Sequence, residues 1–303
     1  METQNKTLAL GWLPDLPDFR DLTFESDKPI PNAKASDDKR SVAELLKAVG
    51  GGTPKPKMAN LDLRQWFSPI EDQLSIGSCT AHAGVGLLEY FENRAFGKFT
   101  DASRLFLYKT TRNLMGVTGD TGAYLRSTMQ SMRVFGVPPE RYWPYEIDTY
   151  DAEPNSFCYA YAQNFQAVKY FRLDPVGTSR QALLDRIKLH IDKGLPSMFG
   201  FSVYSSIRSS GTTGEIPFPV RGERPQGGHA IVALGYDDKK KIKNPSPGSA
   251  PTEGALLIRN SWGPNWGDEG YGWLPYQYIL SGLAIDWWSL IENEWVDSGQ
   301  FGA

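Results

Sequence analysis

Cysteine is scarce in this sequence: only Cys79 and Cys158 occur among 303 residues. Two cysteines exclude a fold held by a disulfide framework. The three histidines, His82, His190 and His229, are scattered and add no ligand spacing, so neither a metal nor a cofactor is expected. An excess of one charge is lacking too. Lys plus Arg is 32 against Asp plus Glu 35, a formal net charge of −3, which leaves no sustained basic face to attract nucleic acid. No apolar run approaches the length of a membrane span, and residues 1–7 contain no apolar signal core. Cytoplasmic residence without membrane attachment is the default expectation, with unconventional export left open.

What is present suffices for a large core: 40% of residues are hydrophobic and 13% aromatic, enough for about two domains or one large one. Residues 1–60 read as an N-terminal arm. Its stretch Trp12-Leu13-Pro14-Asp15-Leu16-Pro17-Asp18-Phe19 is extended, because each proline disfavours helix at the residue before it. Ser41 and Glu44 are spaced as a capping box at the start of a short helix closed by Gly50-Gly51-Gly52, and residues 53–57 read as a linker.

Residues 61–303 make the second unit. Residues 79 to about 165 are mainly helical, with segments after Cys79, over 104–111 and over 123–134. Residues 166 to about 295 turn to strands, at 167–171, 196–203, 229–235, 254–258, 270–273 and 285–292, interrupted by an amphipathic helix over 180–192. Helices followed by strands predict an α+β fold of two segregated lobes with a cleft between them. Gly84 and Gly86 inside the helix after Cys79 each cost about 1 kcal/mol relative to Ala; close approach of another backbone is the expected compensation. Residues 205–228 form a loop before His229, either a cleft wall or a mobile surface loop. Lys239-Lys240-Lys241-Ile242-Lys243 reads as a solvated hairpin tip.

Chemistry concentrates at Gln73-Leu74-Ser75-Ile76-Gly77-Ser78-Cys79-Thr80-Ala81-His82-Ala83. Ser78 is the expected N-cap, which places Cys79 in an electropositive first turn where the helix dipole and unpaired backbone N–H groups favour a thiolate. This stretch alone fits a buried structural cysteine equally well. Two later stretches weigh for a nucleophile: Gly227-Gly228-His229-Ala230-Ile231 and Leu257-Ile258-Arg259-Asn260-Ser261-Trp262-Gly263. Cys, His and Asn stand in that order, too far apart for local contact.

In these residues the chain resembles the papain-like cysteine peptidases. The resemblance runs from about Asn60 to about Trp295. Gln73 stands six residues before Cys79, where the family has its oxyanion-hole glutamine. Gly119-Asp120-Thr121-Gly122-Ala123-Tyr124 is similar to the family's glycine-rich substrate loop, with Ala123 in place of a second glycine. Asn260 to Gly272 matches the family's asparagine motif. Ile76 and Thr80 depart from the pattern: they replace a cysteine and an aromatic residue, so the disulfide usual beside the nucleophile cannot form.

The resemblance implies a papain-like two-lobe fold, a helical lobe and a β-barrel-like lobe, with an endopeptidase site in the cleft. It assigns Cys79 as nucleophile, His229 as proton shuttle, Asn260 as the group orienting the imidazole, and Gln73 as oxyanion donor. Gly122, Ala123, Tyr124, Gly228 and Trp262 would line the substrate, a protein or peptide. Two other readings stand beside it: a catalytically silent binding protein on the same fold, and an acyltransferase or deamidase using the same triad. His82, three residues after Cys79, is a rival base, but the resemblance gives that position to the core. Cys158 reads as a core residue. The arm is either a zymogen-like inhibitory segment or one that merely packs on the domain.

Overall fold

Glycine and serine punctuate the helices, and the sheet follows the alternation of the second half. The computed structural model describes residues 8–26, 40–50, 58–164 and 169–301. In chain order it contains β1 (Trp12–Leu13), α1 (Val42–Ala48), β2 (Asn60–Asp62), α2 (Cys79–Phe96), α3 (Arg104–Met115), β3 (Ala123–Tyr124), α4 (Leu125–Val134) and α5 (Ser156–Ala162). There follow β4 (Lys169–Arg172), α6 (Arg180–Asp192), β5 (Ser197–Tyr204), β6 (Pro225–Ile242), β7 (Thr252–Arg259), β8 (Tyr271–Pro275), α7 (Tyr276–Leu280), β9 (Ala284–Ile291) and α8 (Asn293–Asp297). The linker expected at 53–57, residues 1–7 and the start of the strand expected at 167 lie outside the described residues.

Local chemistry explains most boundaries. The Ser41–Glu44 capping box is formed on α1, and Ser103 and Ser179 cap α3 and α6 by accepting N–H groups of Phe106 and Ala182. Gly97 and Gly116 end α2 and α3 at φ +69° and +70°, a conformation that costs glycine little. Ser78 departs from expectation. It precedes α2 but makes no side-chain cap, because its Oγ lies 2.6 Å from the Tyr145 hydroxyl and 3.3 Å from His82 Nδ1.

The β-rich lobe is a seven-stranded antiparallel sheet in the order β4-β9-β5-β6-β7-β8, with β2 added to β6. Helices α2, α3 and α4 pack together as the other lobe. Both lobes borrow from distant chain. β2 lies before the Cys79 helix yet pairs with β6, while near the C-terminus Trp295 stacks on Phe91 of α2 at 4.9 Å. The basic run is not the hairpin tip: Lys239–Lys241 continue β6, where Lys240 pairs with Glu215 at 2.7 Å, and the turn to β7 follows residue 242.

Gly84 and Gly86 face side chains rather than backbone. A Cβ on Gly84 would stand 3.1 Å from Met132 Sδ and 3.2 Å from Thr128 Cγ2, and one on Gly86 3.2 Å from Arg259 Nε. The bare helix face therefore admits α4 on one side and a guanidinium on the other.

The arm is part of the packed molecule. Val42, Leu45 and Leu46 of α1 and Val49 just after it belong to the main hydrophobic core, and so does Trp12. Cys79 and Cys158 are both buried and free. The midpoint of denaturant unfolding is expected to stay fixed when reductant is added; a marked drop, read by tryptophan fluorescence, would reveal a bridge between them.

Candidate active site

Cys79 opens α2, His229 lies near the start of β6, and Asn260 follows the last residue of β7. Antiparallel pairing of β6 with β7 brings the last two together: Val232 faces Arg259, and His229 Nε2 meets Asn260 Oδ1 at 2.8 Å. The Asn260 oxygen also accepts the Ser261 backbone N–H at 2.8 Å, which fixes the orientation of the amide. Nε2 must therefore carry the hydrogen, and in the neutral ring Nδ1 is the basic nitrogen. Trp262 stacks on the imidazole, ring centroids 4.5 Å apart and planes 17° from parallel, so the His229–Asn260 bond is shut away from water.

Cys79 meets this group through backbone. Burial pushes its thiol up to about 11, against the opposite pull of the N–H groups of Ala230, Gly11, Thr80 and Cys79 itself. Ala230 is the neighbour of His229, and Gly11 belongs to the arm. The thiolate expected from the helix N-terminus is thus not favoured here: desolvation outweighs the backbone N–H groups. His229 is equally affected, pushed down to about 4 by burial although Asn260 favours its charged form.

Gln73 is fully enclosed and firmly oriented. Its Oε1 accepts the Ser261 hydroxyl at 2.6 Å, its backbone N–H donates to the Ser261 carbonyl at 2.8 Å, and its Nε2 donates to the carbonyls of Ile76 and Ala9 at 3.0 and 3.2 Å. Trp262 Nε1 also donates to the Ala9 carbonyl, at 3.4 Å.

The arm accounts for these contacts. It enters the groove between the lobes as an extended chain, and β1 pairs in parallel with β3, Trp12 opposite Ala123 and Leu13 opposite Tyr124. The Ala123 N–H donates to the Gly11 carbonyl at 2.8 Å. Gly122 makes no such bond, because its N–H donates to the Tyr108 hydroxyl at 3.1 Å; its role is room, since a Cβ there would lie 2.2 Å from the Gly11 oxygen and its φ is +73°. Tyr124 pairs through backbone and keeps a partly exposed side chain. Gly228 lies under the Trp12 ring, which a Cβ would meet at 2.7 Å.

Of the other histidines, His82 borders this cluster, lining a cavity with Ala230, Asn260 and Ser261. His82 is buried edge-on to Tyr145 at 5.0 Å, its Nδ1 is 3.1 Å from the Ser78 carbonyl, and burial pushes it down to about 3. His190 is buried in α6. Sequence reasoning missed Ser261, Tyr108, Tyr145 and Asp120, which hold Gln73, Gly122, Ser78 and Gly77 respectively. Their partners are set by tertiary contact, and only the proximity of Ser261 to Asn260 offered a signal.

The chain is similar to known proteins in sequence and in fold. The family described as papain family cysteine protease matches residues 58–284. An uncharacterized peptidase C1-like protein of Acanthamoeba polyphaga mimivirus is 30% identical over 96% of this chain and 89% of its own. Chicken (Gallus gallus) cathepsin K is 27% identical over 68% of this chain, which spans about half of that protein, 54%. Among solved structures, xylellain, a cysteine protease from Xylella fastidiosa, superposes with a TM-score of 0.69 at 29% identity, covering 96% of this chain and 98% of the other.

The covered site has a measurable consequence. Alkylation of Cys79 in the intact chain is expected to rise with pH toward an apparent pKa near 11, and to be slow at neutral pH, with Cys158 unmodified. Peptide mapping after timed exposure to iodoacetamide reads both; a near-neutral profile for Cys79 would show that the intact chain already holds a thiolate.

Proposed function

The chain belongs to the papain family of cysteine proteases, with the α+β two-lobe fold and the cysteine-type peptidase activity of that family, and from that premise we propose that Cys79, His229, Asn260 and Gln73 hydrolyse peptide bonds in protein substrates while the N-terminal arm restrains them. One observation carries the proposal: the arm lies in the groove as a peptide would, with its Ala9 carbonyl on the Gln73 amide and its Gly11 carbonyl on the Ala123 N–H.

With a substrate in place of the arm, Nδ1 of His229 takes the Cys79 proton and the thiolate attacks the scissile carbonyl carbon. The resulting oxyanion is held by Gln73 Nε2 and the Cys79 backbone N–H, donors preorganised by Ser261 and by the start of α2. Collapse of the tetrahedral species breaks the C–N bond as His229 returns its proton to the leaving amine. A thioester remains. Water then attacks it, His229 accepts the water proton, and release of the acid restores the thiol. Asn260 keeps the imidazole tautomer correct throughout, and Trp262 excludes water from that bond.

The same geometry supports restraint by the arm. Gly11 occupies the sulfur's hydrogen-bonding surroundings, and burial of both Cys79 and His229 favours the neutral thiol and neutral imidazole over the reactive ion pair. The arm is fastened by charge as well. Arg126 of α4 binds the carboxylates of Asp15 and Asp21, and Arg172 of β4 reaches the Asp15 carbonyl at 3.2 Å. Displacement or cleavage of this segment would make the chain a zymogen.

Four expectations test the proposal. Trp12→Ala in the full-length chain should raise turnover of a small fluorogenic peptide, because it loosens the arm while leaving the aliphatic core of α1 intact; unchanged turnover in a folded variant would remove the restraint. In that background Gln73→Ala should lower kcat by roughly 10²–10³ through loss of one oxyanion donor, and Cys79→Ala should abolish activity. Mass spectrometry of a protein mixture incubated with the enzyme separates the chemistries: new peptide termini support proteolysis, mass changes on intact chains indicate acyl transfer or deamidation, and no change indicates a binding protein.

A further inference from the structure

Among the described residues, three buried polar atoms without a hydrogen-bond partner belong to the lining of one cavity between the lobes. They are His82 Nε2 on α2, Arg104 Nε on α3 and Asn260 Nδ2 just after β7. The cavity, lined also by Ala83, Gly86, Ala230 and Val232, has about 10 Å³ of room, that of a single water molecule. Its charged walls are otherwise paired. Arg104 Nη1 and Nη2 meet Glu71 and Glu140 at 2.7 and 3.1 Å, Glu89 accepts from the Ser68 hydroxyl and the Ala102 N–H, and Arg259 donates to the carbonyls of Ser68 and Pro69.

His82 has a defined tautomer. Its Nδ1 lies 3.1 Å from the Ser78 carbonyl, which only accepts, so Nδ1 carries the hydrogen and Nε2 presents a lone pair. Burial, with the charges of Arg104 and Arg259, keeps the ring neutral by pushing it down to about 3. Asn260 is equally defined: its Oδ1 is taken by His229 Nε2 and the Ser261 N–H, both at 2.8 Å, which leaves Nδ2 with hydrogens to donate. The cavity thus offers two donors, from Asn260 and Arg104, and one acceptor, from His82. A water matches that set by accepting twice and donating once, the usual three bonds of a buried water. An anion would meet the Nε2 lone pair, and a cation would meet two N–H groups.

We propose that His82 is a positioning residue for the hydrolytic reaction: through one water held in this cavity it fixes the Asn260 amide, and with it the His229 imidazole. This rests on the peptidase reading of the site. The water oxygen accepts from Nδ2 and is itself oriented by its bond to His82 Nε2. An amide turned half a revolution would set its nitrogen against the His229 Nε2–H, donor against donor. His82 also braces the opposite side of the site. Its Nδ1 holds the Ser78 carbonyl, and the Ser78 hydroxyl lies 2.6 Å from that of Tyr145, which donates to the Gln73 carbonyl at 3.0 Å. One buried side chain thereby joins the support of Asn260 to that of Gln73.

Two substitutions separate the two ring nitrogens. His82→Gln places an amide oxygen near the position of Nε2 and keeps the bridge, whereas His82→Asn keeps a donor near the position of Nδ1 and loses it. A high-resolution crystal structure of the full-length protein should show a water within about 3.2 Å of both His82 Nε2 and Asn260 Nδ2; no water there overturns the proposal, whether or not either variant folds. Imidazole nitrogen NMR on the full-length chain reads the exchange of the His229 Nε2–H, which His82→Asn should speed about tenfold and His82→Gln leave within about twofold. Unchanged exchange in His82→Asn overturns the positioning role. In the Trp12→Ala background, His82→Asn should lower kcat about tenfold at constant KM. It should also move the basic limb of the kcat/KM profile to lower pH: Asn260 favours the charged form of His229, so a loosened amide lets the imidazolium lose its proton sooner. A general loss of packing would lower activity without moving that limb, and such a result, or an equal fall in His82→Gln, overturns the proposal. If no peptide is cleaved in the Trp12→Ala background while the water and the exchange behave as expected, the peptidase reading fails and the bridge from His82 to Asn260 stands.

Discussion

The structure around the cleft depends on one constraint: backbone from the arm occupies the space between the two lobes and keeps it dry. The Ala9 and Gly11 carbonyls take up Gln73 and Ala123, and Trp12 fills the slot over Gly200 and Gly228. Removing water from Cys79 and His229 moves their proton affinities apart, the thiol up and the imidazole down, and each becomes neutral. Burial thus favours the uncharged forms of both side chains.

Beneath the cleft, a second set of buried charges fixes the two lobes to each other. Arg259 passes under Gly86 of α2 and donates to the carbonyls of Ser68 and Pro69. Glu89, on α2, accepts the Ser68 hydroxyl and the Ala102 N–H, and Arg104 of α3 pairs with Glu71 and Glu140. These contacts tie the helix that begins at Cys79 to the strand that ends one residue before Asn260. A buried arginine with several carbonyl partners has few alternative geometries, so Cys79 and Asn260 are held at fixed separation even though they come from different lobes. Glu89 is pushed up to about 7 by its burial, a sign of how completely water is excluded there.

Much of the fold could be read along the chain. The capping box of Ser41 and Glu44, the helix over 180–192 and the six strand segments follow from local pattern, and the structure places elements at each. Where reading failed, a nonlocal partner had taken the group in question. Ser78 had every mark of an N-cap, but Tyr145 took its hydroxyl. Gly122 was expected to line the substrate, and its N–H is held by the Tyr108 hydroxyl. The lysine run looked like a solvated tip, yet pairing with β7 and an ion pair to Glu215 keep it within β6.

The sequence by itself determined which side chains are available and in what order: Gln73, Cys79, His229 and Asn260, on a helix-first, strand-second chain whose motifs resemble one family. These are properties of residue identity and spacing, and they survive without coordinates. Tertiary structure alone decided the ionisation of the site, the course of the arm and the cavity that His82 shares with Asn260. Proton affinity depends on how much water the whole surroundings exclude, and those surroundings are assembled from residues 9–12, 73, 82, 200, 228–230 and 260, which no local window contains together. His82 in sequence is one histidine among 3; the fold put it on one cavity with Asn260.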